Sequence, residues 1–86
     1  MANHASALKR ARQNEKRRVR NKAVRTRMRG AIKSVRQALE AKDQEAAREA
    51  LKAAEPIIDK AASKGVLPKR TAARKISRLA KQVHTL

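Results

Sequence analysis

Apolar residues recur at steps of three and four in three stretches of this sequence, residues 24–39, 47–61 and 72–83. That spacing places them on one face of an α-helix, and no stretch shows the alternation of a β-strand. Three amphipathic segments with short connections bury their apolar faces most simply against one another. The sequence therefore predicts an all-α protein, an antiparallel three-helix bundle.

The ends of the first two helices are marked by local chemistry. We expect the first helix to run from about Ser6 to Ala41. Asp43 then suits the N-cap of the second helix, because its side chain can accept a hydrogen bond from a free backbone N–H. That helix should end at Lys64, with Gly65 in the left-handed conformation that follows many helices.

Two prolines bear on the second and third helices. Pro68 suits the first position of the third helix, where its missing N–H is not needed. Pro56 lies inside the second apolar stretch and removes one helical hydrogen bond. It predicts either a kink near Ala53 or a division into two short helices.

The first helix is too long for the bundle it belongs to. At ~1.5 Å per residue, a 36-residue helix is about 54 Å long, yet its apolar stripe begins only at Val24. Its N-terminal half has nothing to pack against and should project from the bundle. We therefore expect one domain made of a basic arm, residues 1–20, and a helical bundle, residues 21–86.

Charge is divided along the chain in the same way. Of 24 Lys and Arg residues, 13 fall in residues 1–36 and seven in residues 64–86, while six of the seven carboxylates lie in residues 37–63. The net charge of +17 favours a dense polyanion such as nucleic acid. There is no Phe, Tyr or Trp on which a base could stack. Binding must use phosphates, sugar hydroxyls and helix shape.

The first helix carries most of the candidate RNA-binding residues. These cations are Lys9, Arg10, Arg12, Lys16, Arg17, Arg18, Arg20, Lys22, Arg25, Arg27 and Arg29. On a helical wheel, Lys9, Lys16, Arg20 and Arg27 fall opposite Arg18, Lys22, Arg25 and Arg29, and Arg10 and Arg17 fill a flank. Charge all round the helix indicates an arm surrounded by phosphates, inserted between packed RNA helices.

The third helix offers a second cationic patch. Its members are Lys69, Arg70, Arg74, Lys75, Arg78 and Lys81, of which the first five are RNA-binding candidates. Lys69 and Arg70 also lie at a helix N-terminus, whose dipole favours an anion.

Nothing in the sequence supports catalysis. His4 and His84 lie near opposite ends of the chain, and the Glu45–Glu49 pair suits a solvated surface better than a metal. We expect no enzyme activity, no metal, no cofactor and no small-molecule substrate. The N-terminus lacks the apolar core of a secretory signal, and no apolar run approaches membrane-spanning length. We therefore expect a cytoplasmic protein without a membrane partner.

Two segments carry a family resemblance. The stretches "MANHASALKRARQNEKRRVRN" and "AAEPIIDKAASKGVLPKRTAARKISRLAKQV" resemble protein twenty of the bacterial small ribosomal subunit. The resemblance implies a bundle with a long first helix that binds small-subunit ribosomal RNA directly and early in assembly, as a monomer within the particle. It adds Asn3, Ser6 and Asn21 as polar contacts and assigns Arg74 and Lys75 of "AARK" to the RNA.

One segment departs from the family pattern. Where the family commonly has His-Lys-Asn, this chain has Pro68-Lys69-Arg70. Lys69 keeps its counterpart, whereas a contact made by that histidine or asparagine does not carry over.

Other classes of function fit the charge less well. A nucleoid or histone-like protein that compacts DNA would need apolar wedges or a dimer face, and the arm has no wedge residue. A membrane-surface helix would need a wide apolar face, which residues 9–22 lack.

Like charges four positions apart also oppose a free helix, so we expect residues 5–20 to be frayed without RNA and helical when bound to RNA.

Overall fold

Three α-helices make up the computed structural model, which describes the backbone of residues 2–86 and the side chains from His4 onward. They are α1 (Ala2–Glu40), α2 (Gln44–Ser63) and α3 (Lys69–His84), and the described residues form no strand. The predicted all-α bundle with a long first helix is confirmed. Helix α1 begins four residues before Ser6, because alanine is frequent in this stretch and no glycine or proline stops the helix there.

The core lies where the three apolar stripes meet. Its buried side chains are Met28, Ile32 and Val35 of α1, Ala47, Leu51, Ala54, Ile58 and Ala61 of α2, and Ala72, Leu79 and Val83 of α3. Helix α2 packs against both of the other helices, whereas α1 and α3 barely touch each other. The least basic helix is thus the shared packing partner of the two strongly cationic ones.

The turn from α1 to α2 is tight and closed by hydrogen bonds. The N–H of Lys42 donates to the Leu39 carbonyl at 3.0 Å, and that of Asp43 donates to the Ala38 carbonyl at 3.1 Å. Lys42 has a φ of 56°, in the left-handed region usually taken by glycine. The Asp43 carboxylate accepts from the N–H of Ala46 at 3.1 Å, so the predicted N-cap is confirmed.

The turn from α2 to α3 has the same hydrogen-bond pattern, here with glycine. Gly65 has a φ of +76° and donates to the Ala62 carbonyl, while Val66 donates to the Ala61 carbonyl, both at 3.0 Å. The predicted left-handed glycine is confirmed. Pro68 lies one position earlier than predicted: it is the N-cap of α3, with an extended ψ of 141°. Its carbonyl accepts the first helical hydrogen bond, from Ala72.

Helix α2 continues through Pro56 without interruption. The alternative of two short helices is therefore wrong. Pro56 is exposed, and its missing N–H leaves one carbonyl without its usual helical donor on the solvent side. Burial of apolar residues on either side of the proline, at Ala54 and Ile58, holds both halves of the helix to the same core.

The N-terminal part of α1 extends beyond the bundle. Helix α1 has 39 residues against 20 in α2 and 16 in α3, and the molecule measures 62 × 21 × 14 Å. Every side chain described in residues 4–20 is exposed, and Val24 is the first that packs on the core. We call residues 4–20 the arm.

Candidate nucleic-acid interface

The arm and the residues of α1 that follow it display their cations to solvent on two opposite faces. The first cationic face comprises Lys9, Lys16, Arg20 and Arg27, with Arg12 beside it, and the second comprises Arg18, Lys22, Arg25 and Arg29. All of these side chains are exposed, as are those of Arg10 and Arg17 on the flank between the faces. Because helix geometry fixes these positions once the segment is helical, a duplex could lie against each face at the same time.

One strip of the arm carries no cation. At about 100° per residue, Leu8, Glu15 and Val19 fall together between the two cationic faces. Leu8 is 50% exposed and Val19 58% exposed, so neither side chain is packed on the bundle. Charge therefore does not surround the arm evenly, and this strip separates one cationic face from the other on one side.

The single carboxylate of the arm is held by its own helix. Arg18 donates to Glu15 through Nε at 3.1 Å and through Nη2 at 2.8 Å. The hydrogen bonds from Arg18, followed by its charge, lower the pKa of the Glu15 carboxyl. Among the residues whose side chains are described, this is the only ion pair. The remaining cations of the arm have no protein carboxylate within ion-pair distance.

The polar contacts implied by the resemblance have different outcomes. Ser6 is exposed, and Asn21 is half-buried at the point where the arm meets the bundle. The side chain of Asn3 lies outside the described part of the chain. No direct role of these residues follows from the structure, and they remain predictions.

The structure divides the predicted patch on α3. Helical spacing places Arg70, Arg74 and Arg78 on the outer face, away from the buried Ala72 and Leu79, and all three arginines are exposed. Lys81 shares this outer face. Lys69 is exposed in the first turn of α3. That turn contains no acidic residue, and the N-cap residue, Pro68, has no side chain that accepts a hydrogen bond from the first backbone N–H groups.

Lys75 points elsewhere and joins cations of α1. Together they line a groove of about 440 Å³ between α1 and the loop that leads into α3. We call it the loop groove; its residues are Arg25, Met28, Arg29, Ile32, Lys33, Arg36, Val66, Leu67 and Lys75. Lys33 and Arg36 are cations that the sequence prediction missed. The four-residue step from Arg25 to Arg29 to Lys33 was the signal that could have identified Lys33.

A second groove lies on another side of α1, against α2. It has a volume of about 540 Å³ and is lined by Ala23, Val24, Arg27, Ala53, Pro56, Ile57, Lys60, Ala61 and Lys64. Three of these residues are cations and none is acidic. Arg27 was predicted, whereas Lys60 and Lys64 were not, because Lys60 belongs to the net acidic α2 and Lys64 lies just beyond its end.

The described region contains neither a metal-binding cluster nor a membrane-spanning helix. No group of three His, Cys, Asp or Glu residues there could hold a metal ion. None of the described helices combines the length and the apolar character that crossing a bilayer requires.

Comparison with known proteins places the chain in a family. The chain is 55% identical to the small ribosomal subunit protein bS20 of Syntrophobacter fumaroxidans over 86 residues, the whole of both proteins. It is 57% identical to the bS20 protein of Geobacter sulfurreducens, covering all of this chain and 99% of the relative. It is 60% identical to the bS20 protein of Nitratidesulfovibrio vulgaris, over 98% of this chain and 97% of the relative. The family model described as "Ribosomal protein S20" matches residues 2–84, and the chain belongs to this family.

Proposed function

We propose that the protein is a structural, non-catalytic component of the small ribosomal subunit that binds the subunit's RNA directly. The arm would make the principal contact and the outer face of α3 the second. Identity of 55–60% over nearly the full length of proteins named for the small ribosomal subunit supports its place in the particle. The particle would hold the protein as a monomer in the cytoplasm.

The observation that carries direct RNA binding is the arm. The arm buries nothing and exposes the cations of the first face and the flank, while the second face begins at Arg18 and continues through the exposed Lys22, Arg25 and Arg29. Cations placed in this way have no use within the bundle itself. Its one carboxylate is already paired with Arg18, so no acidic side chain competes for the other cations. Phosphates on both sides would neutralise this charge, and arginine's planar fork can bridge phosphate oxygens of two strands.

The proposed contacts follow the candidates that are exposed and cationic. On the arm and its continuation they are Lys9, Arg10, Arg12, Lys16, Arg17, Arg18, Arg20, Lys22, Arg25, Arg27 and Arg29. On α3 they are Lys69, Arg70, Arg74 and Arg78, with the half-buried Lys75 reached from the loop groove. Arginine and lysine contacts to phosphate position a protein without reading sequence. Shape of the folded RNA would therefore supply most of the specificity.

Alanine variants on the two cationic faces test the proposal. One variant combines Lys9→Ala, Lys16→Ala and Arg20→Ala, and another combines Arg18→Ala and Lys22→Ala. The control combines Arg48→Ala and Lys52→Ala, two exposed cations of α2. Binding to protein-free small-subunit ribosomal RNA is measured over a range of salt concentrations.

Each lost phosphate contact should make the slope of log K against log salt shallower by about 0.7–0.9. We expect both face variants to change the slope and the control to leave it unchanged. If the variant of one face leaves the slope unchanged, the arm lies on a single RNA surface and does not bridge two. If duplex DNA of equal length binds as tightly as the folded RNA, the protein is a general polyanion binder and the proposal fails.

A further inference from the structure

The loop groove combines two kinds of surface that the proposed phosphate contacts do not explain together. Its rim is formed by five cations: Arg25, Arg29, Lys33, Arg36 and Lys75. Its floor is apolar, formed by Met28, Ile32, Val66 and Leu67. No carboxylate lines the groove. Its volume of about 440 Å³ lies within the range of small-ligand clefts, ~300–1,000 Å³.

A paired RNA helix would satisfy the rim and leave the floor uncovered. Its outer surface presents phosphates and sugars, while its bases face one another inside the stack. Phosphates alone therefore match the cations of α1 and Lys75 but not the half-buried apolar side chains of Val66 and Leu67, which lie over the buried Met28 and Ile32. The occupant needs an anionic part and a flat apolar part that are covalently joined.

An unpaired nucleotide has both parts. Its base, once out of the stack, offers an apolar face to the floor, and the phosphates on either side reach cations on opposite walls. The walls are suitably placed, because Lys75 comes from α3 and the other four cations come from α1. The chain has no aromatic residue, so base contacts must be made on aliphatic side chains such as these.

We propose that the loop groove holds a single unpaired nucleotide of RNA, with its base on the Val66–Leu67 side and its phosphates on the cationic rim. This proposal rests on the proposed function, since the nucleotide would belong to the same RNA that the arm binds. An acidic peptide with one apolar side chain is the other chemistry that fits, and the experiment separates the two.

Single-cysteine crosslinking identifies the occupant, because the natural chain contains no cysteine. Val66→Cys places one thiol in the loop groove. Val66 lines the groove and is half-buried, but it is not among the side chains of the core cluster. Lys52→Cys, on the exposed surface of α2, is the matched control. Each thiol carries a short photoreactive group, and the full-length protein is bound to protein-free small-subunit ribosomal RNA before irradiation.

We expect Val66→Cys to crosslink to one nucleotide, or to adjacent nucleotides, that chemical probing shows to be unpaired, at a yield well above that of Lys52→Cys. Adducts confined to paired nucleotides would overturn the proposal. So would a yield no greater than that of Lys52→Cys in a complex that filter binding shows to be formed. In a second part of the experiment the labelled protein is assembled with the other small-subunit proteins; adducts to protein alone there would favour the acidic peptide and overturn the proposal as well. Failure to form any complex would reject the proposed function itself.

A binding measurement gives an independent result. Val66→Ser removes apolar surface from the floor and keeps the backbone hydrogen bond to Ala61. The loss should weaken binding by about 3- to 10-fold without changing the salt slope. Lys75→Ala should instead make the slope shallower by about 0.7, the value for one single-strand phosphate. Unchanged affinity in Val66→Ser, with the Lys75→Ala effect present, would show that phosphate alone occupies the groove.

Discussion

Arg18 donates two hydrogen bonds to Glu15, three residues earlier on α1, with Nη2 at 2.8 Å and Nε at 3.1 Å from the carboxylate oxygens. The side chains of Arg18 and Glu15 are 73% and 59% exposed, so water screens the pair. Its importance lies in what it does to the surface: it occupies the arm's only carboxylate on the strip beside the cationic faces.

The ion pair predicts a specific titration of Glu15. The hydrogen bonds from Arg18, and then its charge, lower the pKa of the Glu15 carboxyl below its ordinary value of 4.5. The pair therefore stabilises the arm helix at pH values above 4.5, and this contribution is lost as the pH falls through the lowered pKa. In an NMR titration of the free protein, whose frayed arm still samples the helix, Arg18→Gln should bring the pKa of Glu15 up towards its ordinary value. Arg17→Gln, the control, should leave it low; equal effects of the two substitutions would contradict the pair.

The free energy of unfolding lost on substitution in the core should follow the depth of burial of each residue rather than its place in the apolar periodicity alone. Ile58 is fully buried, whereas Ile76 is only half-buried although it belongs to the α3 stripe. Ile58→Ala should lower the free energy of unfolding by ~2–5 kcal/mol, and Ile76→Ala by clearly less. Chemical denaturation of the free protein measures both. Equal losses would mean that the helix faces are assigned wrongly.

Alanine substitutions at the two glycines should change the stability of the protein in opposite directions. A Cβ atom at either Gly30 or Gly65 would meet no other atom within 4 Å, so backbone conformation decides the result. Gly30 lies within α1, and Gly30→Ala should stabilise the free protein by about 0.5–1 kcal/mol. Gly65 has a φ of +76°, and Gly65→Ala should destabilise it by ~1–2 kcal/mol. Thermal unfolding distinguishes the signs, and a stabilising Gly65→Ala would contradict the left-handed turn.

Order in the free arm is a separate prediction. Like charges lie four residues apart at Arg12 and Lys16, and again at Lys16 and Arg20, and the arm has no packing to offset their repulsion. We expect amides of residues 5–20 to exchange rapidly in the free protein and to be protected once RNA neutralises the cations. Strong protection without RNA, unchanged when RNA is added, would show a preformed rod.

Local chemistry made much of this fold predictable from sequence. The cap at Asp43 and the left-handed turn at Gly65 depend on residues within one turn of a helix end, and both were predicted. Helical periodicity identified which faces turn inward, but not how deeply each residue is buried. Leu39 and Ile76 lie in the predicted apolar stripes of residues 24–39 and 72–83, yet both are only half-buried.

The candidate site was predictable on the arm and much less so on the bundle. On the arm nothing packs, and the helix alone fixes where each cation lies. The loop groove arises only because α2 holds α3 and its preceding loop beside α1, which places Lys75 in one groove with Lys33, apart from Arg74. Such an arrangement depends on how the helices pack, and no single helix contains the information.

The salt dependence of binding to protein-free small-subunit ribosomal RNA tests the central claim most directly. If about ten cations of the arm and α3 contact phosphates, log K should fall against log salt with a slope of roughly −7 to −9, between the single-strand and duplex coefficients. A slope shallower than about −3 would mean that most of these cations remain in solvent, and it would contradict an arm enclosed by RNA.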